Sequence, residues 1–240
     1  MNKEGGISMA AQLWKSEEEL FKLVREELFT AVVGDVMDKM GLMHQFLPPQ
    51  IQPLRDDMVV VGRAMTVLQA DVFVETTDSG VNELMKKPFG LMLEALDDLK
   101  PNEVYVCTGA SPYYGLWGEL MGTRAMKLGA VGAILNGYSR DTKAILELNF
   151  PTFSRGRYAQ DLTPRGKVID FRVPLEIEGV RINSGDIVFG DMDGVCVVPA
   201  EARDEVFSKA LEKARGEKTV KEALENGMSA TEVFATYGIL

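Results

Sequence analysis

Residues 118–141 read GELMGTRAMKLGAVGAILNGYSRD, and this stretch predicts one helix followed by one buried strand. Good helix formers run from Glu119 to Lys127, and Gly129 suits a C-terminal cap. Residues 130–135 form a short and almost continuous apolar run, which is typical of a strand buried on both faces of a sheet. A helix that leads into such a strand favours an α/β fold.

The end of this strand is the best candidate for a functional site. Arg140 and Asp141 follow the turn signal Asn136-Gly137, just beyond the carboxyl end of the strand. Open α/β sheets bind their ligands at that edge. The start of the preceding helix offers backbone N–H groups and a positive dipole end, so we expect a small anion near residues 118–121.

Length and composition favour one domain, with two domains as the alternative. The chain has 240 residues, of which 46% are hydrophobic, enough to bury a substantial core. We expect a single domain over residues 1–240, with a helical extension at 1–30 and C-terminal helices at 200–240.

A net charge of −10 without clustered Lys or Arg argues against binding to nucleic acid or an anionic membrane. The sequence shows no apolar stretch of membrane-spanning length and no signal peptide, so we expect a cytoplasmic protein.

The rest of the chain alternates predicted strands and helices, and then becomes rich in short strands. The alternation predicts a largely parallel layer, and the region after residue 166 predicts an antiparallel or mixed half. Ser16 and Glu19 form a capping-box pattern, Gly62 suits a bulge, and the polar segment 71–87 suggests a lid or an active-site loop. Predicted helices cover 17–28, 31–40, 91–99, 142–148, 201 onward and 229–237, and predicted strands cover 58–67, 103–108, 151–153, 168–173, 175–182, 187–190 and 195–198.

The sequence lacks the residues that several common catalytic and binding sites require. His44 is the single histidine, which argues against a Ser-His-Asp triad and a His/Cys zinc site. Cys107 and Cys196 lie in apolar runs and are predicted to be buried structural thiols. Tyr138 stands where a phosphate-binding loop requires Lys, and residues 191–194 suit a tight turn better than a calcium loop.

The remaining chemistry is that of oxygen ligands. Asp141, with Glu119 acting through a water, suits a hard divalent cation such as Mg²⁺, which needs one or two protein carboxylates. Arg140 matches the oxygens of a carboxylate or an enolate and would stabilise developing negative charge. The alternatives are that Arg140 and Asp141 form a surface ion pair, and that Glu119 only favours a helix N-terminus.

An acidic residue, twenty further residues and then Arg-Asp form the main motif, which is present here as Glu119 and Arg140-Asp141. Supporting segments occur around it in the order TAVVGDVMDKMG, VGRAMTV, PTFSRG, SGDIVFGDMDGVCVVP and GMSATEVFATYGIL. Together they resemble the 4-hydroxy-4-methyl-2-oxoglutarate (4-carboxy-4-hydroxy-2-oxoadipate) aldolases, and more broadly the superfamily that includes the regulator of ribonuclease E activity (RraA-like). The resemblance implies a swivelling β/β/α fold and trimers or hexamers with sites near subunit boundaries.

The resemblance also implies roles for the site residues. Asp141 would bind a divalent cation (Mg²⁺ or Mn²⁺), and Arg140 would contact the pyruvate unit of a small 2-oxo acid. The substrate carboxylate would lie at the loop that contains Gly118, Leu120 and Met121. Glu119, through a water, would help to remove the C4-hydroxyl proton in a retro-aldol cleavage, and oxaloacetate decarboxylation would be a side activity.

The sequence departs from the family pattern at two positions. Glu119 stands where the well-known aldolases have Asp, and Asn136 replaces the usual Asp of the DGxxRD pattern, with the bulky Tyr138 close by. These departures leave the substrate open among the 2-oxo acids. The alternative function is a non-catalytic protein-binding module like the ribonuclease E regulator, whose members generally lack the acidic residue after the arginine. The methyltransferase label attached to such sequences is disfavoured because no nucleotide-type glycine loop is present.

Overall fold

One eight-stranded mixed sheet forms the centre of the fold in the computed structural model, which describes residues 13–72 and 83–238. The helices are α1 (Glu17–Glu27), α2 (Thr30–Lys39), α3 (Glu83–Lys86), α4 (Met92–Asp97), α5 (Glu119–Lys127), α6 (Thr142–Leu148), α7 (Arg203–Glu225) and α8 (Ala230–Tyr237). The strands are β1 (Gln52–Pro53), β2 (Val60–Asp71), β3 (Glu103–Thr108), β4 (Gly115–Trp117), β5 (Gly132–Leu135), β6 (Tyr138–Ser139), β7 (Thr152–Ser154), β8 (Gly166–Phe171), β9 (Leu175–Ile177), β10 (Val180–Ile182), β11 (Ile187–Asp191) and β12 (Gly194–Val198).

The sheet has a parallel centre and antiparallel flanks. Its order is β1-β7-β5-β3-β2-β11-β12, and β8 also pairs with β2. Strands β2, β3, β5 and β7 pair parallel with one another. Strands β8 and β11 pair antiparallel with β2, β1 pairs antiparallel with β7, and β12 pairs antiparallel with β11. The predicted parallel layer and the predicted mixed half are therefore both confirmed. The twelve-residue β2 joins β8 and β11 to the parallel strands in one sheet, whereas β9 and β10 form a separate two-stranded sheet.

Two hydrophobic clusters cover this sheet. The larger cluster packs the parallel strands against α4, α5 and α6, with Trp117 and Phe150 among its buried side chains. The smaller cluster packs α1, α2 and α7 against β2, β11 and β12, with Phe189 and Phe207 at its centre. Residues 1–12 of the predicted N-terminal extension lie outside the described residues. Within the described ranges, no helix is both long enough and apolar enough to cross a membrane.

Local signals placed several helix ends correctly. The Ser16 hydroxyl accepts the N–H of Glu19 at 3.2 Å, as the capping pattern predicts. In a complete capping box the Glu19 carboxylate would accept the N–H of Ser16. Here it accepts the N–H of Lys15 instead, at 2.6 Å. Gly129 ends α5 with a φ of 84°, a conformation that glycine adopts readily.

Two strand predictions were wrong. Gly62 lies in regular pairing, and the irregularity of β2 falls between Leu68 and Gln69. Glycine is needed at position 62 because a Cβ there would lie 2.5 Å from the carbonyl oxygen of Asn102. Residues 175–182 form a hairpin and not one strand, because Glu178 and Gly179 turn the chain with positive φ angles of 46° and 88°. Of the predicted lid at 71–87, residues 73–82 lie outside the described residues.

Residues 191–194 form the predicted tight turn, and Asp191 also caps a helix that is distant in sequence. Its buried carboxylate accepts the backbone N–H of Thr30 at 2.7 Å and the Thr30 hydroxyl at 2.8 Å. The N-cap residue of α2, Phe29, has no side chain that can do this. The β11–β12 turn and α2 are therefore joined by a helix cap.

We expect Asp191→Ala to lower the free energy of unfolding by about 2 to 3 kcal/mol, because it leaves buried donors of Thr30 without a partner. Urea denaturation followed by circular dichroism measures the change. Asp193→Ala, two residues away and exposed, is the matched control and should change stability by less than about 0.5 kcal/mol. Equal stabilities of the two variants would contradict this role of Asp191.

Candidate active site

A short parallel pairing brings the two ends of the 118–141 stretch together. Strand β4 pairs with β6, with Gly115 opposite Tyr138 and Trp117 opposite Ser139. The N–H of Arg140 then donates to the carbonyl oxygen of Trp117 at 2.8 Å. Gly118, which directly follows β4, and Asp141, the second residue after β6, consequently meet.

The Asp141 side chain caps α5 in place of the helix's own N-cap residue. Gly118 holds the N-cap position, and its missing side chain leaves room for the Asp141 carboxylate, whose Oδ2 accepts the N–H of Glu119 at 3.3 Å. A Cβ on Gly118 would lie 2.6 Å from that oxygen. Asp141 itself has a left-handed backbone, with φ 55° and ψ 32°. A strained backbone and a close glycine contact thus hold this carboxylate at the helix start.

Arg140 lies between two carboxylates. Its Nη1 donates to Asp161 at 2.6 Å, and its Nε lies 3.5 Å from the Asp141 carboxylate. Its Cγ packs over Gly115, where a Cβ would approach to 3.2 Å. All three charged side chains are partly exposed to solvent. The guanidinium is therefore held in place and remains accessible to a ligand.

Asp161 is the functional candidate that sequence reasoning missed. It belongs to residues 158–166, a segment that backbone hydrogen bonds hold beside the pocket. Tyr158 donates to Ser139 at 2.9 Å, and Gly115 donates to Gln160 at 2.8 Å. No spacing or motif in YAQDLTPRG indicates that Asp161 is functional. Its hydrogen bond to Arg140 forms only because the backbone bonds above bring this segment next to β4 and β6.

A pocket of about 170 Å³ opens in front of these groups. Its polar end contains Arg140, Asp141 and Asp161, and its remaining walls are mostly apolar. Gly118, Leu120 and Met121 also line the pocket, and the Leu120 side chain is 79% exposed at its rim. The structure therefore brings together five predicted site residues, namely Gly118, Leu120, Met121, Arg140 and Asp141.

Glu119 occupies a different position from the other predicted residues. Its backbone N–H contacts Asp141, but its exposed side chain is not part of the pocket wall. Glu has one more methylene group than Asp, so the carboxylate of Glu119 can extend farther from the helix backbone than that of an Asp. The predicted role of Glu119 through a water stays a prediction.

Asn136 forms a link beneath the site and is not part of the pocket wall. Its amide donates to the Thr108 hydroxyl at 2.9 Å, and its carbonyl oxygen accepts Nε of Arg155 at 2.7 Å. An ionised Asp could also bond to both partners, because its carboxylate can accept from Arg155 and from the Thr108 hydroxyl group. These two bonds therefore do not explain why Asn replaces Asp at position 136.

The donor set decides which cation this site would suit. Asp141 and Asp161 supply carboxylate oxygens, and within residues 13–72 and 83–238 no group of three or more His, Cys, Asp or Glu could hold a metal. Mg²⁺ and Mn²⁺ accept one or two carboxylates and keep several waters, whereas zinc usually takes three or four protein ligands. The residues present fit the first two ions and do not fit zinc.

The two cysteines are not part of this chemistry. Both are fully buried, and burial raises the pKa of the Cys107 thiol to about 12 and also raises the pKa of the Cys196 thiol. The thiolate forms needed for nucleophilic attack are therefore negligible at neutral pH. The prediction of buried cysteines is confirmed.

Comparison with known proteins places the chain among aldolase-like sequences. The family model RraA-like (Aldolase/RraA) matches residues 30–197. A Halalkalibacterium halodurans protein named as a candidate 4-hydroxy-4-methyl-2-oxoglutarate aldolase is 30% identical over 211 residues, which cover 85% of this chain and 89% of that protein. Protein DlpA of Legionella pneumophila is 28% identical over 87% of this chain, and the match spans 32% of DlpA.

A solved structure confirms the expected fold. It is a Streptomyces coelicolor protein described as an unusual member of the RNase ES inhibitor RraA protein family. It superposes with a TM-score of 0.72 over 87% of this chain and 98% of its own chain, at 21% sequence identity. This likeness confirms the mixed α/β architecture. On the family match over most of its length, the chain belongs to the RraA-like (aldolase/RraA) family.

Proposed function

We propose that this protein is a lyase, a divalent-metal-dependent aldolase that cleaves a 4-hydroxy-2-oxo acid to release pyruvate. One candidate substrate is 4-hydroxy-4-methyl-2-oxoglutarate, and oxaloacetate decarboxylation is the expected side activity. The observation that carries the proposal is the convergence of the Asp141 carboxylate, the Arg140 guanidinium and the start of α5 on one pocket. The names of its relatives support the same class of reaction.

The start of α5 provides the site for the substrate carboxylate. The first N–H groups of a helix have no partner within the helix. In α5 the N–H of Glu119 donates to Asp141, and the N–H of Gly122 returns to Gly118 at 3.1 Å. The N–H groups of Leu120 and Met121 lie between them at the positive end of the helix dipole. They would donate to an anionic group in the pocket.

Asp141 would hold the cation, with water completing its coordination. When bound, Mg²⁺ or Mn²⁺ would supply Lewis-acid polarisation of the 2-oxo carbonyl group. Arg140 would donate to the oxygen of this carbonyl group and stabilise the negative charge that develops there. Because Arg140 stays protonated at any physiological pH, this contribution does not depend on a proton transfer.

Bond cleavage then needs a base for the C4 hydroxyl group. Glu119 lies at the start of α5 next to the pocket and would accept this proton through a water. The C3–C4 bond breaks, C4 becomes a carbonyl carbon, and the electron pair moves to the pyruvate fragment as its enolate. Protonation of C3 completes pyruvate. In oxaloacetate the same C3–C4 bond breaks with loss of carbon dioxide.

The proposal includes assembly into a homotrimer or homohexamer. Large apolar side chains are exposed at the pocket rim, at Leu120, and on α8, at Phe234 and Tyr237. Exposed apolar groups of this kind are often covered by a neighbouring subunit. Light scattering after size-exclusion chromatography measures the assembly size.

Replacement of Asp141 tests the catalytic proposal. We expect the protein to release pyruvate from 4-hydroxy-2-oxo acids and from oxaloacetate with Mg²⁺ but not with excess chelator. Asp141→Ala should lower this activity about 100-fold or more, because the cation loses its protein ligand. Glu147→Ala is the control, since this exposed carboxylate of α6 lies outside the pocket, and it should leave the activity within about twofold.

Two results would contradict the proposed aldolase activity. One is the absence of pyruvate from every 2-oxo acid tested, and the other is metal-dependent activity that Asp141→Ala leaves unchanged. Capture of ribonuclease E in a pull-down, without metal-dependent turnover, would instead support the protein-binding regulator.

Gly118→Ala provides a second test that keeps every charged group. The new methyl group would collide with the Asp141 carboxylate, so Mg²⁺ affinity measured by calorimetry should fall about tenfold or more. Gly122→Ala is the matched control in the same helix, because its Cβ would meet no atom closer than 3.6 Å. That variant should bind Mg²⁺ normally and be equally stable or slightly more stable. Equal Mg²⁺ affinities in the two variants would show that the Asp141 position is not important.

A further inference from the structure

The Arg140 guanidinium is not shared equally by its two carboxylate neighbours. The Asp161 carboxylate accepts a hydrogen bond from Nη1 of Arg140 at 2.6 Å, a short distance that is typical of charge-assisted bonds. Nε of Arg140 lies 3.5 Å from the Asp141 carboxylate, which is beyond the usual range of an N–H···O hydrogen bond. The guanidinium is therefore hydrogen-bonded to Asp161 and only close to Asp141.

The chain around Asp161 fixes its carboxylate independently of the arginine that it binds. Its Oδ1 also accepts the N–H of Leu162 at 2.9 Å, and the side chain of Leu162 is buried. On the preceding residue, the backbone oxygen of Gln160 accepts the N–H of Gly115 at 2.8 Å. Nη1 of Arg165 donates to the backbone oxygen of Asp161 at 3.2 Å. Asp161 is consequently a fixed acceptor for a guanidinium group.

A full ion pair between Arg140 and Asp141 would oppose cation binding. The Asp141 carboxylate is the proposed ligand, and Gly118 and the N–H of Glu119 already fix its position. A guanidinium that donates two parallel hydrogen bonds to a carboxylate occupies both of its oxygens. Because Nε already lies 3.5 Å from Asp141, a small rotation of the Arg140 side chain would form this pair. The cation would then have to displace the arginine before it could bind.

We infer that Asp161 is a positioning residue, which keeps Arg140 from closing on Asp141 and so leaves the Asp141 carboxylate available to a divalent cation. The inference rests on the metal-binding role of Asp141 in the proposed function. Asp161 acts through Arg140 and is not a second ligand of the cation. Its hydrogen bond thus serves metal binding at a carboxylate that it does not touch.

The Mg²⁺ affinities of four proteins test this role. They are the unchanged protein, Asp161→Ala, Arg140→Met and the variant with both substitutions, each titrated by calorimetry with Mg²⁺ alone. Asp161→Ala should weaken Mg²⁺ binding about tenfold when Arg140 is present, because the guanidinium turns to Asp141. In the Arg140→Met background the same change should weaken it about twofold or less, through the loss of one half-exposed negative charge.

This comparison isolates the contact between positions 140 and 161. Side chains contributed by a neighbouring subunit are the same in all four proteins, so their effect cancels. Equal losses of affinity in the two backgrounds would overturn the inference, because a second ligand of the cation, or a residue that only maintains the fold, acts without Arg140. Unchanged affinity in Asp161→Ala would overturn it as well.

Two further variants serve as controls. Asp161→Glu keeps a carboxylate within reach of Arg140 and should bind Mg²⁺ within about threefold of the unchanged protein. Glu147→Ala removes one negative charge from an exposed position of α6 outside the pocket, and it should change the affinity by less than about twofold. Circular dichroism of every variant checks that the fold is intact. A tenfold loss in Glu147→Ala would overturn the inference, since any lost charge would then have the same effect.

Asp141→Ala separates a failure of this inference from a failure of the proposed function. If Asp141→Ala abolishes Mg²⁺ binding and Asp161→Ala weakens it equally in both backgrounds, the inference is overturned and the metal site at Asp141 stands. If Asp141→Ala binds Mg²⁺ as tightly as the unchanged protein, the metal site is overturned and the inference falls with it. The inference is supported when Asp141→Ala abolishes binding and the effect of Asp161→Ala requires Arg140.

Discussion

The contact between the Asp141 carboxylate and the start of α5 is the constraint on which the rest of the site depends. It requires a glycine at position 118, since any Cβ there would displace the carboxylate oxygen. It also requires the β4–β6 pairing, which brings residues twenty-three apart in sequence into contact. The backbone of Asp141 adopts a left-handed conformation to make the contact. Local strain and helix capping thus place a negative charge where a cation would be needed.

The charges around Arg140 explain how one pocket would serve both binding and chemistry. Asp161 and Asp141 hold the guanidinium between them without burying it. A ligand carboxylate or a developing enolate can therefore approach Arg140 without a large rearrangement, which is the condition for electrostatic preorganisation. The remaining walls of the pocket are mostly apolar, so the charged groups that it contains are confined to Arg140, Asp141 and Asp161 among the described residues.

Much of the fold was predictable because its signals are local. Strand Glu103–Thr108 and helix Thr142–Leu148 have the predicted limits, since an apolar run and a helix-forming run end there at clear breakers. The family motif likewise pointed to Arg140 and Asp141, which both line the pocket. The pairing of β4 with β6 and the contact of Asp161 with Arg140 were not predictable, because strands of two or three residues carry no periodicity. The prediction of a bulge at Gly62 was wrong. Glycine is needed there because the backbone of Asn102, which is distant in sequence, lies too close to leave room for a Cβ.

The most direct test of the central claim is a crystal structure of the protein grown with Mg²⁺ and oxalate, an unreactive mimic of the pyruvate enolate. We expect Mg²⁺ to contact the Asp141 carboxylate. We also expect oxalate to lie between Arg140 and the N–H groups of Leu120 and Met121 at the start of α5. Oxalate and Mg²⁺ bound away from these groups, or an Asp141 carboxylate that does not touch the cation, would contradict the proposed roles of these residues.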